Sequence, residues 1–187
     1  PANPPIVTVA SVAVAKLAGV GAAEMQTTLN VSSTLGIATS RNAILEGVTV
    51  RNAYAGMSNF MGILARQMVE SGFTGEADGV GIAHGKAYSD TFDRDLVVKD
   101  LGREYVIARS YFKVHSAGRY VHSGLDLIEK AMAAQSASRL DPASIERIDY
   151  HTYFLAKLLD RKTVTTSFGA KFSIPFAVAS LIFHGTA

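Results

Sequence analysis

Residues 111–126 read Tyr-Phe-Lys-Val-His-Ser-Ala-Gly-Arg-Tyr-Val-His-Ser-Gly-Leu-Asp, and how this stretch folds decides how the chain is organised. Before it, Tyr105-Val106-Ile107-Ala108 is a short apolar run of strand formers, so Glu104 to Lys113 is expected to be a strand. After it, Val121, Leu125, Ile128 and Met132 recur at i, i+4, i+7 and i+11, which predicts a helix from Arg119 to Gln135. The stretch also gathers Lys113, His115, Arg119 and His122 in a chain with five histidines in all. The first amides of a helix have no intrahelical partner and favour negative charge, so a basic strand-to-helix turn can hold an anion. A merely solvated turn would carry the same local composition.

Toward the C-terminus, Asp141-Pro142-Ala143-Ser144 reads as a turn leading into a second strand, Ile145 to Thr152. Phe154 to Leu159 is ambiguous between helix and loop. Ser173 is a natural N-cap for a helix running to Phe183, with Pro175 in the first turn, where its missing N–H costs nothing.

Toward the N-terminus, Asp90 to Arg103 is the most charged part of the chain and marks the expected domain boundary. Everything before it reads as helix. Ile6 to Leu17, preceded by Pro4-Pro5 and followed by Gly19, is apolar almost all round and is expected to be buried between other helices. Ala22 to Ala38 reads as a second helix with Leu29, Val31, Leu35 and Ile37 inward, and its Thr/Ser content argues against unbroken continuity. Met57, Met61, Leu64 and Met68 form a helical stripe, expected in the core, that ends near Gly72. Gly56 and Gly62 inside that pattern suggest close approach of another helix or of a ligand. A weaker helical stretch follows from Val80 to Tyr88. The fold class is therefore mostly α plus α+β: part of a helical domain, residues 1–103, followed by a smaller α/β lid domain, residues 104–187.

The chain has 187 residues, 48% of them hydrophobic, with a formal charge of +2. Near-neutral charge argues against a nucleic-acid surface built on bulk electrostatics. Without cysteine there are no disulfides and no thiolate metal sites. His84, His151 and His184 are isolated in sequence and no HExxH pattern occurs, so no metal and no cofactor are expected. No apolar run has the length of a membrane span, and a cytoplasmic location is expected. The chain opens at Pro1 without an initiator Met or signal peptide, which suits a processed chain or an excised fragment.

Several motifs together resemble the MmgE/PrpD family. Lys113, Arg119-Tyr120 and His122 are similar to that family's Lys-x-x-Pro-Cys-Cys-Arg-Tyr-x-His signature, with Ser116-Ala117-Gly118 in the Pro-Cys-Cys positions. Arg51, Gly56, Gly62 and Gly72-Phe73-Thr74-Gly75 follow the order and spacing of a second family motif, and Ala170-Lys171-Phe172-Ser173-Ile174-Pro175-Phe176 resembles a third. The resemblance covers about Lys16 to Gly185. It implies a cofactor-free lyase or isomerase of small polycarboxylates such as 2-methylcitrate, a homodimer formed through the helical domain, and a site in the cleft between helical domain and lid. The family's N-terminal motifs are absent, so it also implies a partial chain.

Such chemistry needs cations to hold carboxylates and a general base to move a proton beside one of them. The resemblance places the active-site lysine at Lys113, with His122 as the second catalytic candidate. Arg51, Tyr54, Gly56, His115, Arg119 and Ser173 are the candidate substrate-binding residues. Arg119 can grip a carboxylate through two parallel hydrogen bonds, although a solvated ion pair is an equal reading. The departures point elsewhere. Arg51 replaces the usual Lys and keeps charge without a titratable amine. Tyr54 stands where a His is common, Gly118 where the decarboxylase carries His, and Phe176 where a Tyr would offer a hydroxyl. These favour the alternative of a non-catalytic relative that binds a carboxylate ligand or serves as an assembly chain.

Overall fold

The computed structural model describes residues 4–37 and 39–187. Its α-helices, in chain order, are α1 (Pro4–Leu17), α2 (Ala22–Ser33), α3 (Asn42–Leu45), α4 (Tyr54–Glu70), α5 (Gly79–Ile82), α6 (Arg94–Val98), α7 (Arg119–Ala134), α8 (Phe154–Lys157), α9 (Ser167–Ala170) and α10 (Ile174–His184). The chain divides into two compact units, Pro1–Ser40 with Val50–Ser110, and Arg41–Thr49 with Tyr111–Ala187. No described helix is long and apolar enough to cross a membrane.

In the first unit α1 packs on α2 and α4, and α2 on α4 and α5. Small side chains make this possible. The buried face of α4 is Ser58, Gly62, Ala65 and Arg66, and it meets Val7, Ser11 and Ala15 of α1, all with no exposed surface. A side chain at Gly62 would lie 2.8 Å from the Ser11 backbone nitrogen, so the two backbones approach as closely as glycine allows. The methionine stripe expected in the core lies beside this face: Met57 is half exposed and Met61, Leu64 and Met68 are only partly buried. Neither is α1 buried all round, because Val9 and Leu17 face solvent. The helix from Ala22 stops at Ser33, in keeping with its Thr/Ser content. Ser32 and Ser33 turn their hydroxyls onto the carbonyls of Leu29 and Asn30, an alternative to carrying the helix forward. The expected extension reached Ala38, which lies outside the described residues. Arg66 is buried and forms ion pairs with Glu24 (2.7 Å) and Glu70 (3.1 Å), which no sequence pattern announced.

In the second unit α7 packs against α10 and α8. Val121, Leu125 and Met132, with Ile128 beside them, supply one side of the core, as the 3.6-residue spacing requires; Ala177, Val178, Leu181 and Ile182 supply the other. Ser173 caps α10 by accepting the Phe176 amide at 3.1 Å, and Gly185 closes it in the left-handed region at φ 75°. The segment 41–49 belongs here because polar groups tie it down. Thr166 Oγ1 donates to the Gly47 carbonyl (2.7 Å), Arg161 to that of Glu46 (2.9 Å), and Arg41 to that of Leu155 (3.1 Å).

The expected strands do not form. Among the described residues there is none, and the α/β lid gives way to a helical unit with extended connections. Within Glu104–Lys113, Val106–Arg109 winds into a 3₁₀ turn, and Tyr111, Phe112 and Val114 run on exposed, Phe112 almost completely. Ile145–Thr152 is not helical and pairs with no neighbour along its backbone. Strand-forming composition is insufficient without a second strand to receive the ladder hydrogen bonds, and neither segment has one among the described residues.

Candidate functional site

The turn Ser116-Ala117-Gly118 is fixed from three sides. The Ser116 amide donates to the Ala187 carbonyl (3.2 Å) and the Gly118 amide to the Lys171 carbonyl (2.6 Å). His122, one turn into α7, is buried, and its Nε2 donates to the Ala117 carbonyl (3.2 Å). Glycine is required at 118 because a Cβ there would lie 2.9 Å from the Phe172 ring. No side-chain bond caps α7, and the amides of Arg119 and Tyr120 have no acceptor among the described residues. An uncapped helix start keeps its partial positive charge available to an anion.

Arg119 stands at this start, and Lys113 precedes it in the chain. The Arg119 guanidinium lies 4.8 Å over the Tyr111 ring, and neither Arg119 nor the exposed Lys113 meets a carboxylate among the described residues. A cavity of about 340 Å³ borders the turn, lined by Ser116, Ala117, Lys171, Phe176 and Ser180 among others. Lys171 is the cation that sequence reasoning missed. Its signal was available in the Ala-Lys-Phe-Ser motif, read there only as a marker of α10.

His115 and His122 do converge, with ring centroids 5.1 Å apart and the planes edge to face. Yet the Nε2 of each is engaged. His115 is 5% exposed, its Nε2 is 3.0 Å from Asp126 Oδ1, and its Nδ1 is 3.8 Å from Glu129 Oε1. Ser173 is wholly buried and engaged in capping, accepting from Phe176 and donating to the Arg161 carbonyl. The remaining expected residues lie in the first unit. Arg51, in the 3₁₀ turn Thr49–Ala53, has its guanidinium 5.2 Å from the Tyr54 ring, and Gly56 faces open space with nothing within 4 Å of an added Cβ.

Two further groups are perturbed. Burial lowers His84 below its ordinary value; the imidazole lies 5.9 Å from both Tyr88 and Phe92 in an apolar cavity of about 550 Å³. Burial raises Tyr150, whose hydroxyl donates to the Val121 carbonyl at 3.4 Å. Comparison with family models, with curated proteins and with solved structures found no match to this chain.

Proposed function

We propose that the start of α7 binds a small polycarboxylate, and that the chain is an MmgE/PrpD-like lyase or isomerase acting on substrates such as 2-methylcitrate. The observation that carries the reading is the uncapped start of α7, with free amides, the stacked Arg119, unpaired Lys113, and Lys171 on the wall of the neighbouring cavity. Fixed donors and cations are what several carboxylates need, and at about 340 Å³ the cavity falls in the range of small-molecule sites. In this reading Arg119 and Lys171 hold carboxylates. Lys113 is the proton-transfer group, because neither histidine turns a free Nε2 toward a ligand. His122 positions the turn through the Ala117 carbonyl. The sequence motifs supply the reaction class, together with cytoplasmic location and a second copy as partner.

One observation favours the non-catalytic alternative. Lys113 is exposed to water and is not part of the lining of the neighbouring cavity. A ligand-binding relative would keep Arg119 and Lys171 and need no base.

The test is thermal denaturation with citrate against acetate at matched ionic strength. Citrate at one hundred times its dissociation constant should stabilise by about 2.7 kcal/mol and acetate should not. Lys171→Ala and Arg119→Ala should each weaken the effect. Equal shifts from the two anions would remove the polycarboxylate site.

A further inference from the structure

We propose that His115, Asp126 and Glu129 form a binding site for a first-row divalent cation, of which Zn²⁺ is the representative. The site is separate from the carboxylate-binding reading of the α7 start and does not depend on it. Asp126 and Glu129 are three residues apart on α7, hence on one face, and His115 lies across that face from the preceding turn. One ligand atom from each residue lies within 4.8 Å of the others.

The donor set decides the chemistry. An imidazole nitrogen with carboxylate oxygens suits Zn²⁺ and its transition-metal neighbours, whereas Ca²⁺ and Mg²⁺ prefer oxygen alone. Nε2 and Asp126 Oδ1, now 3.0 Å apart, can both reach a metal at about 2.1 Å with a near right angle between the bonds. Glu129 Oε1 now lies 3.8 Å from Nδ1, the other ring nitrogen, so it has to swing to the Nε2 side, where bonds of this length place neighbouring ligand atoms about 3.4 Å apart. Its side chain is half exposed and free to rotate.

Placement supports the same reading. His115 is held rigidly in the protein, 5% exposed, while the two carboxylates face water at 46% and 47%. A cation would be gripped from the protein side and keep open positions for water or a ligand oxygen. His122 stands edge-on to His115 and is itself tied to the Ala117 carbonyl, which fixes the imidazole from behind. Without a metal, two carboxylates converge on one imidazole that carries a single formal charge even when protonated. A dication matches them better. No sequence motif reveals this, because eleven residues and a change of structure separate His115 from Asp126.

The experiment is titration of the purified chain with Co²⁺ and Zn²⁺. Co²⁺ should develop a visible d–d absorption that saturates at one equivalent, and Zn²⁺ should bleach it. Zn²⁺ should raise the melting temperature by several degrees, with no response to Ca²⁺ or Mg²⁺ at the same concentration. Asp126→Asn and Glu129→Gln, both at half-exposed positions that leave the fold intact, should each weaken Co²⁺ binding at least tenfold. His151 and His184 could hold Zn²⁺ adventitiously, so His151→Gln and His184→Gln must leave the titration unchanged. No d–d band, or a band untouched by Asp126→Asn and Glu129→Gln, would overturn the proposal and leave the cluster a buried ion pair.

Discussion

Gly124 shows most sharply how one residue decides local structure. It sits inside α7, where Gly→Ala should gain about 1 kcal/mol in helix propensity. Here a Cβ would overlap the Tyr150 ring, and overpacking of that kind costs about 1–3 kcal/mol. The overlap wins, so Gly124→Ala is expected to lower stability in urea denaturation by up to about 2 kcal/mol, an effect that shrinks when Tyr150→Ala is already present. Lys113 gives the functional counterpart. In an assay for unsaturated product from 2-methylcitrate, Lys113→Arg should keep ligand binding and lose turnover, because Arg stays charged. Undiminished turnover in Lys113→Arg would leave Lys113 an anion holder only. The two perturbed groups set the pH dependence. His84 is depressed by burial, so its contribution is present above about 6.5 and lost as pH falls through its lower folded value. Tyr150 is raised, so its contribution is present below about 10 and lost as pH rises through its higher folded value. His84→Phe should flatten the acid limb of the stability profile and Tyr150→Phe the alkaline limb.

At the scale of elements, what the sequence made legible is what local physics decides. The i, i+4, i+7, i+11 pattern placed α7 to within a residue, and Ser173 with Pro175 placed the start of α10, because caps and helical faces are specified by neighbours in the chain. That Glu104–Lys113 and Ile145–Thr152 form no strand was illegible for the opposite reason: a strand exists only with a partner, and composition says nothing of one. The methionine stripe misled because burial on α4 follows closeness of approach, not side-chain size, and Ser58, Gly62 and Ala65 face α1 instead. The two glycines of α4 separate these effects. Gly56→Ala meets nothing within 4 Å and should stabilise by about 1 kcal/mol, whereas Gly62→Ala meets the α1 backbone and, net of the same helix gain, should destabilise by up to about 2 kcal/mol. Unfolding midpoints of the pair should move in opposite directions. Of the expected site residues, Arg119 was legible as the first residue of α7. The role of His115 was not, since the sequence does not show the carboxylates around it, and for Ser173 only the cap was legible, not the bond to the Arg161 carbonyl.

At the scale of the whole molecule, the conspicuous feature is the number of exposed apolar side chains in each unit. Leu96, Val97, Leu101, Tyr105, Ile107, Phe112 and Val114 are all more than 60% exposed. Exposed apolar side chains of this kind drive association, so sedimentation velocity should show a concentration-dependent shift that Phe112→Glu reduces. Dilution to a fixed monomer without change in either protein would contradict this. Function has to be sought on a narrower scale, where charge is fixed by geometry rather than by composition. The net charge of +2 says little, whereas the proposed site rests on the uncapped amides of α7 together with Arg119 and Lys171. The most direct measurement of that site is amide-resolved NMR titration of the intact chain with citrate. Saturable shifts concentrated at Ser116–Tyr120 and Lys171, lost in Arg119→Ala, are the expected result. Shifts scattered over surface lysines and arginines, or unchanged in Arg119→Ala, would contradict it.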